Sequence, residues 1–275
     1  MPQPLLETIK IDVIPEGVGI LTLNRPDRDN ALNSVLLKDL LVAFQWVTIE
    51  EKVKVVIITG NGEYFTSGWD LAEVSQLKNP EEIVERMRAN VEVFEKLIES
   101  LIDFPKLLLA AVNGRAVGFG VTILPHCDAI YSVPEATFDT PFMKMAICAE
   151  ACSSYLLPKF LGNSTANEML LMGRLFTASE LVNHRFINRI IQKENLLNET
   201  IKEAIPVTNF SFEAVKQTKQ LIKSDDIRDH LKKILKKENE VLIERVFSGD
   251  LIQFVAKFIF DRQRLKKKSN NDSKL

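Results

Sequence analysis

One order of elements runs through this chain twice, and it constrains the fold more than any single motif does. A β-rich run, a loop of small and polar residues and a long amphipathic helix follow one another, and then do so again. Residues 7 to 14 and 18 to 24 are β-rich and are separated by Glu16 and Gly17, the pattern of a hairpin. The loop "NRPDRDNALN" then brings Pro26 and several turn formers, and Asn33 or Ser34 can cap an amphipathic helix running to about Glu51. "KVVIITG" follows as a buried strand. The order returns with the loop "NGEYFTSGWDL", a helix from about Pro80 to Ile102, the strand "KLLLAAVNG", the turn "GRAVGFG", a short helix reaching Leu124, and the strands "AIYSV" and "ATFDT". From about Glu150 onward helices dominate, among them "SFEAVKQTKQLIKS" and a charged-and-apolar tract from Ile227 to Lys268. No stretch rich in Pro, Gly or Ser divides the chain. The expectation is an α/β core of repeated strand, strand, helix units over residues 1–200, with a helical region over 201–275.

Length and charge narrow the function classes. A chain of 275 residues, 46% of them hydrophobic, suffices for one large domain. Thirty-five Lys and Arg against 37 Asp and Glu leave a formal charge of -2, which gives no electrostatic footprint for nucleic acid. "MPQPLLETIK" lacks the basic start and apolar core of a signal peptide, and no apolar run approaches the ~20 residues that span a bilayer, so a soluble, non-secreted protein without a membrane span is expected. Cys127, Cys148 and Cys152 are odd in number and have no metal-ligand spacing, so neither a disulfide framework nor a zinc or other metal site is expected. His126, His184 and His230 lie far apart without a visible partner, which favours core or surface roles over catalysis. Ser273, Lys274 and Leu275 spell S-K-L, a receptor-read peroxisomal address, so import into the peroxisomal matrix is expected.

Chemistry gathers at three places. In "TSGWDL" the backbone turns at Gly68, and in "NGRAVGFG" it turns at Gly114 and Gly118, each ahead of a helix start. N–H groups there are unpaired and carry the positive end of the helix dipole, which suits an anion or a developing oxyanion. The third place is Glu150 in "ICAEACSSY", whose neighbouring charges in sequence are Lys144 and Lys159. Its apolar surroundings predict a carboxyl pKa raised toward working pH, as a general base requires. The alternative is a first-turn acid that complements the dipole of a helix "EACSSYLLPKFLG".

The segments "LNRPDRDNALN", "VVIITGNGEYFTSGWDL", "AVNGRAVGFGVTILPHCDAIYSVPEATFDTPF" and "LLMGRLFTASE" together resemble the crotonase, or enoyl-CoA hydratase/isomerase, superfamily, from about Thr8 to Arg264. The resemblance implies a spiral of ββα repeats with a C-terminal helical region that forms homotrimers or hexamers. It also implies an acyl-CoA thioester as substrate, with coenzyme A part of that substrate and no separate cofactor. Its carbonyl oxygen would lie between the N–H groups of Trp69 and Phe119, with Ser67, Gly68, Asp70, Leu71, Ala31 and Gly118 lining the acyl-pantetheine arm and Arg25 or Arg28 near the adenosine phosphates. The positions that carry acids in the family's hydratases are Thr122 and Phe142 here, and dienoyl-CoA isomerases add a third acid at the place of Glu150. A carboxylate at the third place alone is similar to the pattern of Δ3,Δ2-enoyl-CoA isomerases, as are "TPF", "CSSY" and "PKF" around it, and this implies Glu150 as base and proton shuttle. Trp69 stands where small residues or Asn are usual, so its indole is expected to wall the acyl channel, and Ala149 and Ala151 also depart from the family, Ala151 standing in place of a common Gly. Two other readings stay open: an acyl-CoA-binding protein without chemistry, and a thioester hydrolase or weak hydratase using one acid.

Overall fold

The computed structural model describes residues 2–75, 80–246, 253–261 and 264, so the expected Ser273–Lys274–Leu275 signal lies outside the described residues. The expected hairpin is β1 (Ile9–Val13) and β2 (Val18–Leu23), paired antiparallel with Ile11 opposite Leu21. Asn33, not Ser34, caps α1 (Ser34–Ile49): its side chain accepts the Leu36 N–H at 2.9 Å. That helix buries Leu36, Leu37, Leu40, Ala43, Phe44 and Val47 at helical spacing, the stripe that fixes it to the sheet. β3 (Val55–Gly60) has its first five residues fully buried, as a central parallel strand covered on both faces must.

The loop "NGEYFTSGWDL" is not all loop. It contains β4 (Tyr64–Thr66) before α2 (Leu71–Ser75), and α3 (Pro80–Ile102) follows as expected. Then come β5 (Leu107–Val112), β6 (Arg115–Val117), α4 (Phe119–Thr122), a 3-10 turn over Leu124–His126, β7 (Ala129–Ser132) and β8 (Thr137–Asp139). Beyond residue 150 helices dominate, with α5 (Ser153–Leu161), α6 (Asn163–Leu170), α7 (Ala178–Asn183), α8 (Leu196–Thr208), α9 (Phe212–Ile222) and α10 (Asp225–Val246), and residues 253–261 are helical as well. Two short strands among them, β9 (Phe176–Thr177) and β10 (Arg189–Ile190), escaped the sequence reading because two residues carry no readable period.

The strands form two sheets. The larger has the order β1-β2-β3-β5-β7-β10, parallel from β2 onward, and the smaller has the order β4-β6-β8-β9, with β4, β6 and β8 parallel. After the β1–β2 hairpin, which lies wholly in the larger sheet, the pairs β3/β4, β5/β6 and β7/β8 each give one strand to each sheet, the ββα spiral that the family resemblance implied. Residue 200, where core and helical region were divided, falls inside α8, which packs on β2, β3, β5 and β7. Farther on, α10 lies against α3. No helix among the described residues is long and apolar enough to cross a membrane.

Candidate active site

Parallel pairing of β4 with β6 sets the two glycine turns side by side, since each turn leaves the same end of its strand. Gly68 has φ +77°, and a Cβ there would sit 2.9 Å from the Val117 carbonyl oxygen, so glycine answers both the conformation and the close approach. Gly118 has φ +53° and ψ -110°, and its N–H donates to the Asp139 carbonyl at 2.9 Å. The next residue of each turn is the expected donor. Leu32 donates to the Gly68 carbonyl at 2.8 Å and accepts from the Asp70 N–H at 3.0 Å, a parallel bridge that turns the Trp69 N–H the other way. Phe119 opens α4, where a first-turn N–H has no upstream carbonyl. Among the described residues neither N–H has a hydrogen-bond partner.

The loop before α1 is tied to this framework by a residue the sequence reading passed over. Asn30, fully buried with φ +51°, donates to the carbonyls of Asn61 and Tyr64, each at 2.9 Å, and accepts the Arg25 N–H at 2.8 Å. Thr66 Oγ1 donates to the Asn30 carbonyl at 2.6 Å and accepts from the Gly68 N–H at 3.2 Å. Ser67 donates through its N–H to Asp29 at 2.9 Å, and Leu71 is the half-buried first residue of α2. Arg25 is engaged by the Asp70 carboxylate at 3.1 Å and by the carbonyl of buried Ala31, so Arg25 and Asp70 brace the loop, while Arg28 is exposed on a 3-10 turn over Pro26–Arg28.

Glu150 is 1% exposed. It does not open a helix: α5 begins at Ser153, behind a left-handed Cys152, so the first-turn reading of this acid is corrected. Its Oε2 accepts the Trp69 indole N–H at 2.8 Å, and its Oε1 has no partner among the described residues. Burial pushes its carboxyl from the ordinary 4.5 up to about 7, the Trp69 hydrogen bond pulls it partly back, and the charge of Glu238 adds to the rise. The Trp69 indole thus does something the sequence did not reveal: it binds one oxygen of the acid. The same ring packs on Phe94 of α3 at 5.6 Å between centroids, and Phe94 packs on Phe119 at 5.8 Å.

The backbone around Glu150 is contorted without glycine. Ala146, Ala151 and Cys152 have φ of 56°, 55° and 63°, each costing on the order of 1 kcal/mol or more in a residue with a Cβ. Ala151, where the family has a common Gly, is one of these left-handed residues. The contortion is held from afar. The His126 Nε2–H donates to the Ala151 carbonyl at 2.9 Å, and Glu238 of α10 accepts the N–H groups of Cys152 at 2.7 Å and Ser154 at 2.9 Å. Burial holds His126 neutral, with its pKa near 3. Burial also pushes the Cys148 thiol to about 11 and the Cys152 thiol to about 12, which leaves both poor nucleophiles beside the acid. Thr122 is fully buried and Phe142 nearly so, and neither offers a carboxylate.

A buried acid of raised pKa beside two outward N–H donors can move a proton next to a carbonyl and hold the resulting oxyanion. Residues 13–259 match the enoyl-CoA hydratase/isomerase family. The chain is 30% identical over 250 residues to human enoyl-CoA delta isomerase 2, covering 91% of this chain and 63% of that protein, so it spans less than two thirds of that relative. It is also 30% identical over 251 residues to mouse "Enoyl-CoA delta isomerase 3, peroxisomal", covering 91% of this chain and 78% of that one. Among solved structures, an enoyl-CoA hydratase/isomerase from Pseudoalteromonas atlantica T6c superposes with a TM-score of 0.82 at 28% identity, over 93% of this chain and 98% of that one.

Proposed function

Because the chain belongs to the enoyl-CoA hydratase/isomerase family, we propose that it is a Δ3,Δ2-enoyl-CoA isomerase, moving the double bond of a 3-enoyl thioester to the trans-2 position in the oxidation of unsaturated fatty acids. The observation that carries this reading is Glu150: a buried acid with one oxygen bound by Trp69 and the other without a partner among the described residues. Isomerisation needs one base. Glu150 Oε1 removes the proton from C2, the electron pair delocalises over the thioester and the alkene as a dienolate, and the same carboxyl returns the proton to C4. The N–H groups of Trp69 and Phe119 hold the dienolate oxygen, each worth about 3 to 4 kcal/mol in sites of this kind. A pKa of about 7 suits a group that must take and give back one proton. Water addition asks for a second acid, and Thr122 and Phe142 stand at the family positions for it.

The names of the two isomerase relatives support the reaction, and the peroxisomal one, together with Ser273, Lys274 and Leu275, supports a peroxisomal matrix location. A homotrimer or hexamer is supported by α9, none of whose residues is buried and whose Leu221 is 82% exposed. The test of the reaction is Glu150→Gln assayed with a 3-enoyl-CoA. Turnover should fall by about 10²- to 10⁴-fold, with no free CoA or 3-hydroxyacyl product from the parent enzyme. Turnover within a few-fold of the parent ends the proposal.

A further inference from the structure

We propose that Glu238, on the C-terminal helix α10, is a positioning residue for the base: its buried carboxylate holds the Glu150 loop in its reactive conformation and sets the charge that Glu150 feels. This rests on the reading of Glu150 as the base. Glu238 is 7% exposed, and its two oxygens are each used on the loop, Oε2 by the Cys152 N–H at 2.7 Å and Oε1 by the Ser154 N–H at 2.9 Å. These are the donors that a left-handed Cys152 presents as the chain enters α5, and without an acceptor the Cys152 N–H would be buried and unpaired. The bonds span 86 and 84 residues, so they fix the base to an element outside the strand repeats. Further contacts run the same way: Cys148 Sγ donates to the Glu238 carbonyl at 3.7 Å, Cys152 Sγ to Leu231 at 3.3 Å, and Arg245 Nε to the Ala146 carbonyl at 2.8 Å. Helix α10 is in this way strapped along the whole loop from residue 146 to 154.

The charge of Glu238 acts in the same place. It raises the pKa of Glu150 and of both thiols beside it. The other titratable groups around the pair are His126, neutral at Ala151; Lys223 at the end of α9, whose ammonium burial disfavours; Arg245, bound at Ala146; and Glu95 of α3, bound by Asn239 at 3.1 Å. None of these places a hydrogen bond on either carboxylate.

Two variants separate position from charge. Glu238→Asp keeps the charge but shortens the reach, so kcat for a 3-enoyl-CoA should fall by about ten- to a hundredfold with KM little changed and the acid limb of the pH profile in place. Glu238→Gln keeps the reach but removes the charge and one acceptor, so kcat should fall and the acid limb should move to lower pH. An indole-15N-labelled protein gives a readout apart from turnover. The Trp69 Nε1–H resonance, told from Trp46 by Trp46→Phe, titrates with Glu150, and its midpoint should drop in Glu238→Gln and stay in Glu238→Asp. If Glu238→Gln leaves both kcat and that midpoint at parental values, or lowers kcat and thermal stability together with the midpoint unmoved, the proposal is overturned. If instead Glu150→Gln proves active while the midpoint still drops, the base assignment fails and the coupling of the two carboxylates stands.

Discussion

The donor turns and the Glu150 loop meet at the Trp69 indole, yet they are built in opposite ways. The turns use glycine where the backbone goes left-handed, and their hydrogen bonds run between neighbouring strands, β4 to β6 and the loop before α1. The Glu150 loop goes left-handed through Ala146, Ala151 and Cys152 and is held by His126 and Glu238, side chains 25 and 86 residues away. A glycine turn carries its geometry in its own residues. A glycine-free loop borrows it, so its shape is only as good as the packing of distant helices. In the proposed reaction the part of the site that would present fixed donors is local, and the part that would hold a proton is embedded in the tertiary structure, where burial and a second carboxylate can adjust it.

The sharpest way to break this contrast is inside the local half. Gly68→Ala should lower kcat by about 10²- to 10³-fold, the loss of one oxyanion donor, because the Cβ must displace the Val117 carbonyl from 2.9 Å as well as accept φ +77°. Gly118→Ala meets nothing closer than Phe142 at 3.7 Å, so its cost is conformational alone and its kcat should fall less. Equal losses would mean that packing between the turns does not set the donor geometry.

The embedded half shows itself in stability. The Glu150 carboxyl titrates at about 7 in the folded protein, above the ordinary 4.5, so the folded state holds an extra proton between those values. Stability from this group therefore falls as pH rises through that window and the penalty is complete above it. Glu150→Gln, the variant proposed to lose turnover, should be more stable than the parent by about 1–3 kcal/mol at pH ~8, and denaturant titrations should show the gain shrinking toward pH ~5. The smallest effect belongs to the contact between the halves. Trp69→Phe keeps the backbone N–H and removes the indole donor that lowers the Glu150 pKa. Its acid limb should move to higher pH, with a loss of about two- to fivefold in rate near neutrality; an unmoved limb would show that the indole bond is absent in solution.

The same division explains what the sequence made legible. Strands such as Val55–Gly60 and helices such as Ser34–Ile49 were readable because their apolar residues recur with the period of the element. The turns at Gly68 and Gly118 were readable because glycine marks a turn from within. Asn30, His126 and Glu238 were not, since a polar residue that stabilises a remote backbone bears no local mark: His126 looked like an ordinary core histidine and Glu238 like one more charge on a helix of charges. The bond from the Trp69 indole to Glu150 was not readable, because its partner lies 81 residues on and nothing at either end announces the meeting.

The Phe94 ring, seated between Trp69 and Phe119, gives the two donors a common neighbour although they lie fifty residues apart in the chain. A shift of α3 at Phe94 would therefore reach the side chains of both residues.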